Sequence, residues 1–191
     1  MTEAEVVRKA KDGDKKAFAE LVSTYSDRIY NLALRILRNR EDAEDVLQET
    51  FLTVLQKLDT FDGRSSFFTW IYRIATNASL MKLRKKKLSY AEVPENPDLG
   101  PRHDEQLFVD WSQDPSFNIQ NEEIKNTIDM AIGQLSEIYR SVFILRDIEQ
   151  LSIKETSNIL NISEENVKIR LRRARLFLRD KLSEHYEGSI I

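Results

Sequence analysis

Residues 151–182 read LSIKETSNILNISEENVKIRLRRARLFLRDKL, and their spacing predicts two helices joined by a tight turn. Ser152 suits an N-cap, and Glu155 three residues later completes a capping box, in which each side chain satisfies the other residue's free backbone donor. The first helix is expected to run to about Leu160, and Asn161 and Ile162 turn the chain. Ser163 then caps a second helix, whose Glu164 and Glu165 suit the positive end of the helix dipole. Val167, Leu171, Ala174, Leu178 and Leu182 recur at helical spacing and form one apolar stripe. One residue along, Lys168, Arg172, Arg175 and Arg179 form a parallel basic stripe, widened by Arg170, Arg173 and Lys181. A helix with one face for a core and the next face for cations fits the second helix of a DNA-reading helix-turn-helix. Arginines there pair bidentately with guanine edges or neutralise phosphates. The competing reading is a solvated basic face on an ordinary bundle helix, since charge runs are usually just that. The capped helix and short turn in front weigh against it.

The rest of the chain is compatible with a helix-rich protein. It has 191 residues, 41% hydrophobic and 32% charged, with five Gly and four Pro. That length allows one domain or two small ones. With no Cys, disulfides, Cys-zinc sites and thiol sensing are excluded. His103 and His185 stand far from any ligand cluster, so neither a metal nor a cofactor is expected. No apolar run reaches membrane-spanning length, and the start, MTEAEVVRKAKDGD, is too charged for a signal peptide. A cytoplasmic protein without direct membrane insertion is expected. The net charge of −3 hides an uneven distribution: residues 1–88 carry +4, residues 89–120 carry −6 and residues 121–191 carry −1. Local patches, not the total, decide nucleic-acid binding.

In order, a short helix is expected over residues 4–11, ending near Asp12-Gly13-Asp14. A core helix follows over about 15–38, on the spacing of Phe18, Leu21, Val22, Tyr25, Ile29, Leu32, Ala33 and Ile36. In the next helix, Glu41–Lys57, the residues Ala43, Leu47, Phe51, Val54 and Leu58 are expected to face inward. Acidic residues crowd its first half, which suits the helix dipole. Yet Asp45, Gln48, Glu49, Leu52 and Gln56 share an outer face that would also dock a partner helix, and both readings stand at this point.

A loop is expected over Asp59–Ser66, broken by Gly63, before FFTWIYRIATNASLMKLRKKK. There Phe67, Ile71, Ile74 and Ala78 are spaced as core. Trp70, Arg73 and Asn77 fall on another face that leads into Lys82, Arg84, Lys85, Lys86 and Lys87. Rings interleaved with cations fit single-stranded nucleic acid, and Phe61 and Phe68 are candidates to join them. The alternative is that these aromatics finish a small core. All four prolines fall in Tyr90–Asn118, an acidic stretch without helical periodicity that reads as a flexible linker. Helices over Asn121–Ile132 and Glu137–Ile148 follow, the second capped by Ser136 with Ile138, Val142 and Leu145 on its core side.

Together DAEDVLQETFLTVLQKL, FFTWIYRIATNASL and LSIKETSNILNISEENVKIRLRRARLFL resemble a bacterial RNA polymerase sigma factor of the small extracytoplasmic-function type, in the sigma-70 family. The resemblance covers roughly residues 17–88 and 122–182, about two thirds of the chain. It implies an all-α fold of two small helical domains, region 2 over 1–88 and region 4 with its helix-turn-helix over 121–191, joined by the acidic linker over 89–120. It also implies a non-enzymatic initiation factor whose partners are core RNA polymerase, promoter DNA and an anti-sigma factor. Asp45, Gln48, Glu49, Leu52 and Gln56 would contact the polymerase clamp helices. Phe61, Arg64, Ser65, Trp70 and Asn77 would melt and read the minus-10 element, with Arg73, Lys82, Arg84 and the following lysines on phosphates.

For the minus-35 element the resemblance points to Ser163, Asn166, Lys168, Ile169, Arg170, Arg172, Arg173 and Arg175. Ile169 and Arg172 are not types that the family pattern fixes, which leaves promoter preference open. The linker would lie in the polymerase cleft as a single-strand mimic. Thirty coil residues span about 30 Å on average and about 100 Å extended. Promoter elements about 17 base pairs apart are about 58 Å apart, so the linker bridges them only when drawn out. Two other function classes remain. A free-standing helix-turn-helix regulator would bind duplex DNA alone, usually as a dimer, yet no dimerising heptad is evident. A nucleic-acid enzyme would need a catalytic constellation, and the carboxylates here lie near no His, Cys or Gly-rich phosphate loop.

Overall fold

The computed structural model describes residues 2–91 and 122–188, with side chains described up to Lys86 and again over 126–183. The elements are α1 (Glu3–Lys11), α2 (Lys15–Leu37), α3 (Arg40–Lys57) with a short 3-10 turn at Leu58–Thr60, α4 (Phe67–Ala91), α5 (Glu122–Gln134), α6 (Glu137–Phe143) continuing as a π turn (Ile144–Ile148), α7 (Ile153–Leu160) and α8 (Glu164–Gly188). No strand occurs among the described residues. The chain divides into two compact units, up to Lys85 and from Lys86. Most of the expected linker over 89–120 lies outside the described residues. Its first three positions do not start a break, because α4 continues through Ala91.

In the first unit, caps fix where the helices begin. Thr2 and Glu5 form a capping box on α1, Asp14 accepts from Lys16 and Ala17 at the start of α2, and Asn39 accepts from Asp42 at the start of α3. Gly13, at φ 88°, makes the left-handed step between α1 and α2, where a side chain would be strained. Leu21, Tyr25, Ile29, Leu32, Ala33 and Ile36 of α2 are buried as expected, while Phe18 and Val22 are only half-buried. The buried face of α3 is Ala43, Val46, Thr50 and Val54, with Leu58 just beyond, whereas Leu47 and Phe51 are half-buried. The expected stripe was therefore turned slightly, because Thr50 is polar by type yet fully buried. On α4, Phe67, Ile71, Tyr72, Ala75 and Ala78 are buried and Ile74 is half-buried. An edge-on contact between the Tyr25 and Phe67 rings, 5.5 Å between centroids, joins α2 to α4.

The second unit packs α5, α6 and α7 around α8, with Val142, Val167 and Leu171 at the centre and Ile153, Leu160 and Ile162 against them. The expected capping box of Ser152 and Glu155 is present, and Ser163 accepts from Asn166 at 3.2 Å. Asn161 takes the left-handed conformation, φ 53°, that ends α7, a conformation Asn tolerates better than other side-chain-bearing residues. Ser136 occupies the N-cap of α6 but makes no side-chain cap bond. Ile138, expected in the core, is instead 49% exposed. It sits one turn nearer the start of α6 than buried Val142, on an open groove with Gly133, Leu135 and Arg140.

Candidate nucleic-acid interface

Three surfaces carry the sequence-derived site residues. On α3, Asp45, Gln48, Glu49, Leu52 and Gln56 are all exposed. Leu52 and Leu55 are both 59% exposed, so the acidic and amide face carries two unburied leucines. Leu55 was missed from sequence because it falls off the apolar stripe. Such a face offers a partner helix apolar contact beside hydrogen-bonding and charged groups. Asp45 is not free: the Lys82 ammonium of α4 donates to it and lies 3.4 Å from Asp42. Burial alone would depress the Lys82 pKa, but the bonds from Asp45 and Asp42 outweigh it and raise it. A lysine expected on phosphate is thus drawn to the acidic face.

The second surface is the loop before α4 and the outer side of α4. Trp70 does not stand free. Its ring lies 5.3 Å from Phe61 and 5.7 Å from Phe67, and Phe61 lies 5.6 Å from Phe67. Trp70 and Phe61 are half-buried, so the cluster is part core and part platform. Phe68 lies against Tyr72, ring centroids 4.1 Å apart and tilted by 39°, with the Arg28 guanidinium over it, and none of its ring contacts is with Phe61 or Trp70. The loop is held by Lys11, which donates to the Phe61 carbonyl at 2.8 Å. Asp62 accepts from the Arg64 backbone and side chain, which holds its carboxyl below the usual range. Ser65, Arg73, Asn77 and Arg84 are exposed. The Lys87 side chain lies outside the described residues.

The third surface is α8. Ser163, Asn166, Lys168, Ile169, Arg172, Arg173 and Arg175 are exposed and Arg170 is half-buried. Lys168, Arg172, Arg175 and Arg179 line an open groove with Leu171 and Leu176. Two of the candidate cations have intramolecular partners. Arg173 donates to the Tyr139 hydroxyl at 3.2 Å. Arg175 forks onto Asp147, Nε to Oδ2 at 2.8 Å and Nη2 to Oδ1 at 2.6 Å, which raises its pKa. Among the described residues no cluster suits a metal ion, and no helix is long and apolar enough to cross a membrane.

The family model for Sigma-70 region 2 matches residues 21–88, and that for Sigma-70 region 4 matches residues 125–178. The chain is 39% identical to the ECF RNA polymerase sigma factor SigW of Bacillus subtilis, covering 93% of this chain and 95% of that one. It is 31% identical to the ECF RNA polymerase sigma-E factor of Haemophilus influenzae, over 95% and 96% of the two chains. Among solved structures it shares its fold with CnrH in complex with the cytosolic domain of CnrY, at TM-score 0.64 and 24% identity over 94% and 96%. It also shares it with RpoE in complex with the anti-sigma factor NepR from Bartonella quintana, at TM-score 0.66 and 20% identity over 88% and 98%.

Proposed function

Because this chain belongs to the ECF RNA polymerase sigma factors, we propose that its two helical units divide promoter recognition between them. It is a non-enzymatic transcription initiation factor that binds core RNA polymerase and directs it to promoters. Residues 1–88 form the region 2 domain, residues 121–191 the region 4 domain, and residues 89–120 the connection between them. The exposed face Asp45, Gln48, Glu49, Leu52, Gln56 docks the polymerase, with Leu55 extending it. The Phe61–Phe67–Trp70 platform and the exposed Asn77 capture an unstacked base of the minus-10 element, while Arg73 and Arg84 meet phosphates. On α8, Lys168, Ile169 and Arg172 face the minus-35 bases, with Ser163 and Asn166 at the helix start. As CnrH and RpoE were each solved with a protein bound, an anti-sigma factor is the expected inhibitor of this chain too. Its site of action is the cytoplasm, where the polymerase works.

The observation that carries this reading is one chain holding both a docking-type acidic face and a capped basic helix behind a tight turn. Run-off transcription with core polymerase on genomic fragments tests it, and discrete promoter-dependent transcripts that need this protein are expected. Gel shifts with and without core polymerase exclude the free-standing regulator. Tight sequence-specific duplex binding by the protein alone, unchanged by core, would overturn the proposal.

A further inference from the structure

We propose that Asp147 is a specificity-determining positioning residue that withholds Arg175 from DNA phosphates by holding its guanidinium in a two-pronged ion pair. This rests on the reading of α8 as the minus-35 helix. Arg175 lies in the row Lys168, Arg172, Arg175, Arg179, which lines one open groove. A free guanidinium there would neutralise a phosphate, and that contact carries no sequence information. Both carboxylate oxygens of Asp147 are engaged, by Nε and Nη2 of Arg175. The Asp147 side chain is 21% exposed, against 57% for Arg175. Asp147 is also set on a rigid mount. It stands in the π turn Ile144–Ile148, whose Ile144, Leu145 and Ile148 are buried. That turn is closed by Glu149 donating to Ile144 at 2.9 Å and Leu151 donating to Leu145 at 3.0 Å. A carboxylate fixed this way holds the arginine without ordering a second mobile side chain, unlike the usual exposed pair.

Salt dependence separates this role from a merely structural one, because the slope of log K against log salt counts phosphates neutralised, about 0.9 for each. The full-length chain is titrated onto a short mixed-sequence duplex by fluorescence anisotropy across a salt series. Asp147→Asn is expected to steepen the slope by about 0.9, Arg175→Met to leave it at the wild-type value, and the double variant to restore that value. With core polymerase bound, Asp147→Asn is expected to lower the ratio of promoter to mixed-sequence affinity several-fold. A slope that falls by about 0.9 in Arg175→Met would show Arg175 already on a phosphate and overturn the proposal. So would an unchanged slope in Asp147→Asn whose helix content matches wild type by circular dichroism. If Asp147→Asn fails to fold, Arg175→Met decides alone. Loss of promoter selectivity in the wild-type holoenzyme would instead count against the sigma-factor reading of α8.

Discussion

If Trp70 captures a minus-10 base as proposed, stability and promoter melting meet at this one ring, and replacing it tests both. Trp70 is half-buried and touches Phe61 and Phe67 at ring separations of 5.3 and 5.7 Å. Truncating a fully buried Trp to Ala costs about 3–5 kcal/mol, so a half-buried one costs about 2. The lost ring pairings bring the total to about 2–3 kcal/mol. For a domain of this size each kcal/mol moves the melting temperature by about 4–8 °C, so Trp70→Ala is expected to lower it by about 10–20 °C. Asn77 is exposed, and Asn77→Ala is expected to cost less than about 0.5 kcal/mol. Both variants should weaken permanganate reactivity of minus-10 thymines in the holoenzyme, Trp70→Ala at a temperature where its domain remains folded. Thermal unfolding followed by circular dichroism supplies that temperature. An unshifted midpoint in Trp70→Ala would refute the packed-platform description. Wild-type thymine reactivity in Asn77→Ala would refute base capture on this face.

Arg172→Ala should cost about 1–3 kcal/mol of promoter affinity, concentrated on substitutions in the minus-35 element, whereas Arg179→Ala, paired with Asp180, should cost less and show no base preference; competition gel shifts with the holoenzyme distinguish them. Asp45→Lys should abolish co-purification with core polymerase while leaving the circular dichroism spectrum unchanged, since Lys82 keeps Asp42 at 3.4 Å. Burial, then the hydrogen bond to Glu3, raises the pKa of the Tyr25 phenol. Unfolded tyrosine ionises near pH 10 while the folded phenol keeps its proton, so this stability is present below about pH 10 and is lost as pH rises past it. Urea unfolding at pH 9 to 11 should show a shallower alkaline decline for Tyr25→Phe than for wild type, and parallel declines would refute the assignment.

The helices were legible because helical periodicity and caps are local. The core helix expected over 15–38 is Lys15–Leu37, and the Ser152–Glu155 box forms as read. What the sequence concealed depends on approach between distant segments. Lys82 meets Asp45 across 37 positions and Arg175 meets Asp147 across 28, and no spacing rule within one helix announces such pairs. Trp70 was legible as a ring on the side of α4 away from Ile71 and Ala78, but its neighbour Phe61 arrives from a loop whose path only the fold sets. Thr50 misled the inward face of α3 because a buried threonine counts as polar in any pattern. The π turn after Phe143 was invisible because its residues, ILRDI, continue an ordinary helical pattern.

Those hidden pairs bear on how the protein selects DNA. Seven of the fourteen residues from Lys168 to Lys181 are basic, which taken alone suggests strong, indiscriminate binding. The fold reduces that number. Arg175 is committed to Asp147 and Arg179 to Asp180, whereas Arg173 donates to the neutral Tyr139 hydroxyl and keeps its charge. Among the described residues, Lys168, Arg170, Arg172 and Arg173 on this helix carry no ion pair. Four phosphate contacts would give a salt slope near −3.6, so raising salt from 50 to 200 mM would weaken binding about 150-fold. The first unit follows the same pattern, with Lys82 held by Asp42 and Asp45 and Arg64 by Asp62. Counterion release is blind to sequence, so each cation paired internally lowers affinity for every duplex alike and leaves base contacts a larger share of the total. A protein built this way is expected to bind poorly alone. Held on one polymerase surface, its two weak domains would act as a single bivalent ligand, gaining about 10²–10⁴ in avidity with no new base contact. On the proposed assignment of sites, affinity is expected to come from the polymerase and discrimination from the few unpaired side chains on α4 and α8, which is the division of labour an initiation factor requires.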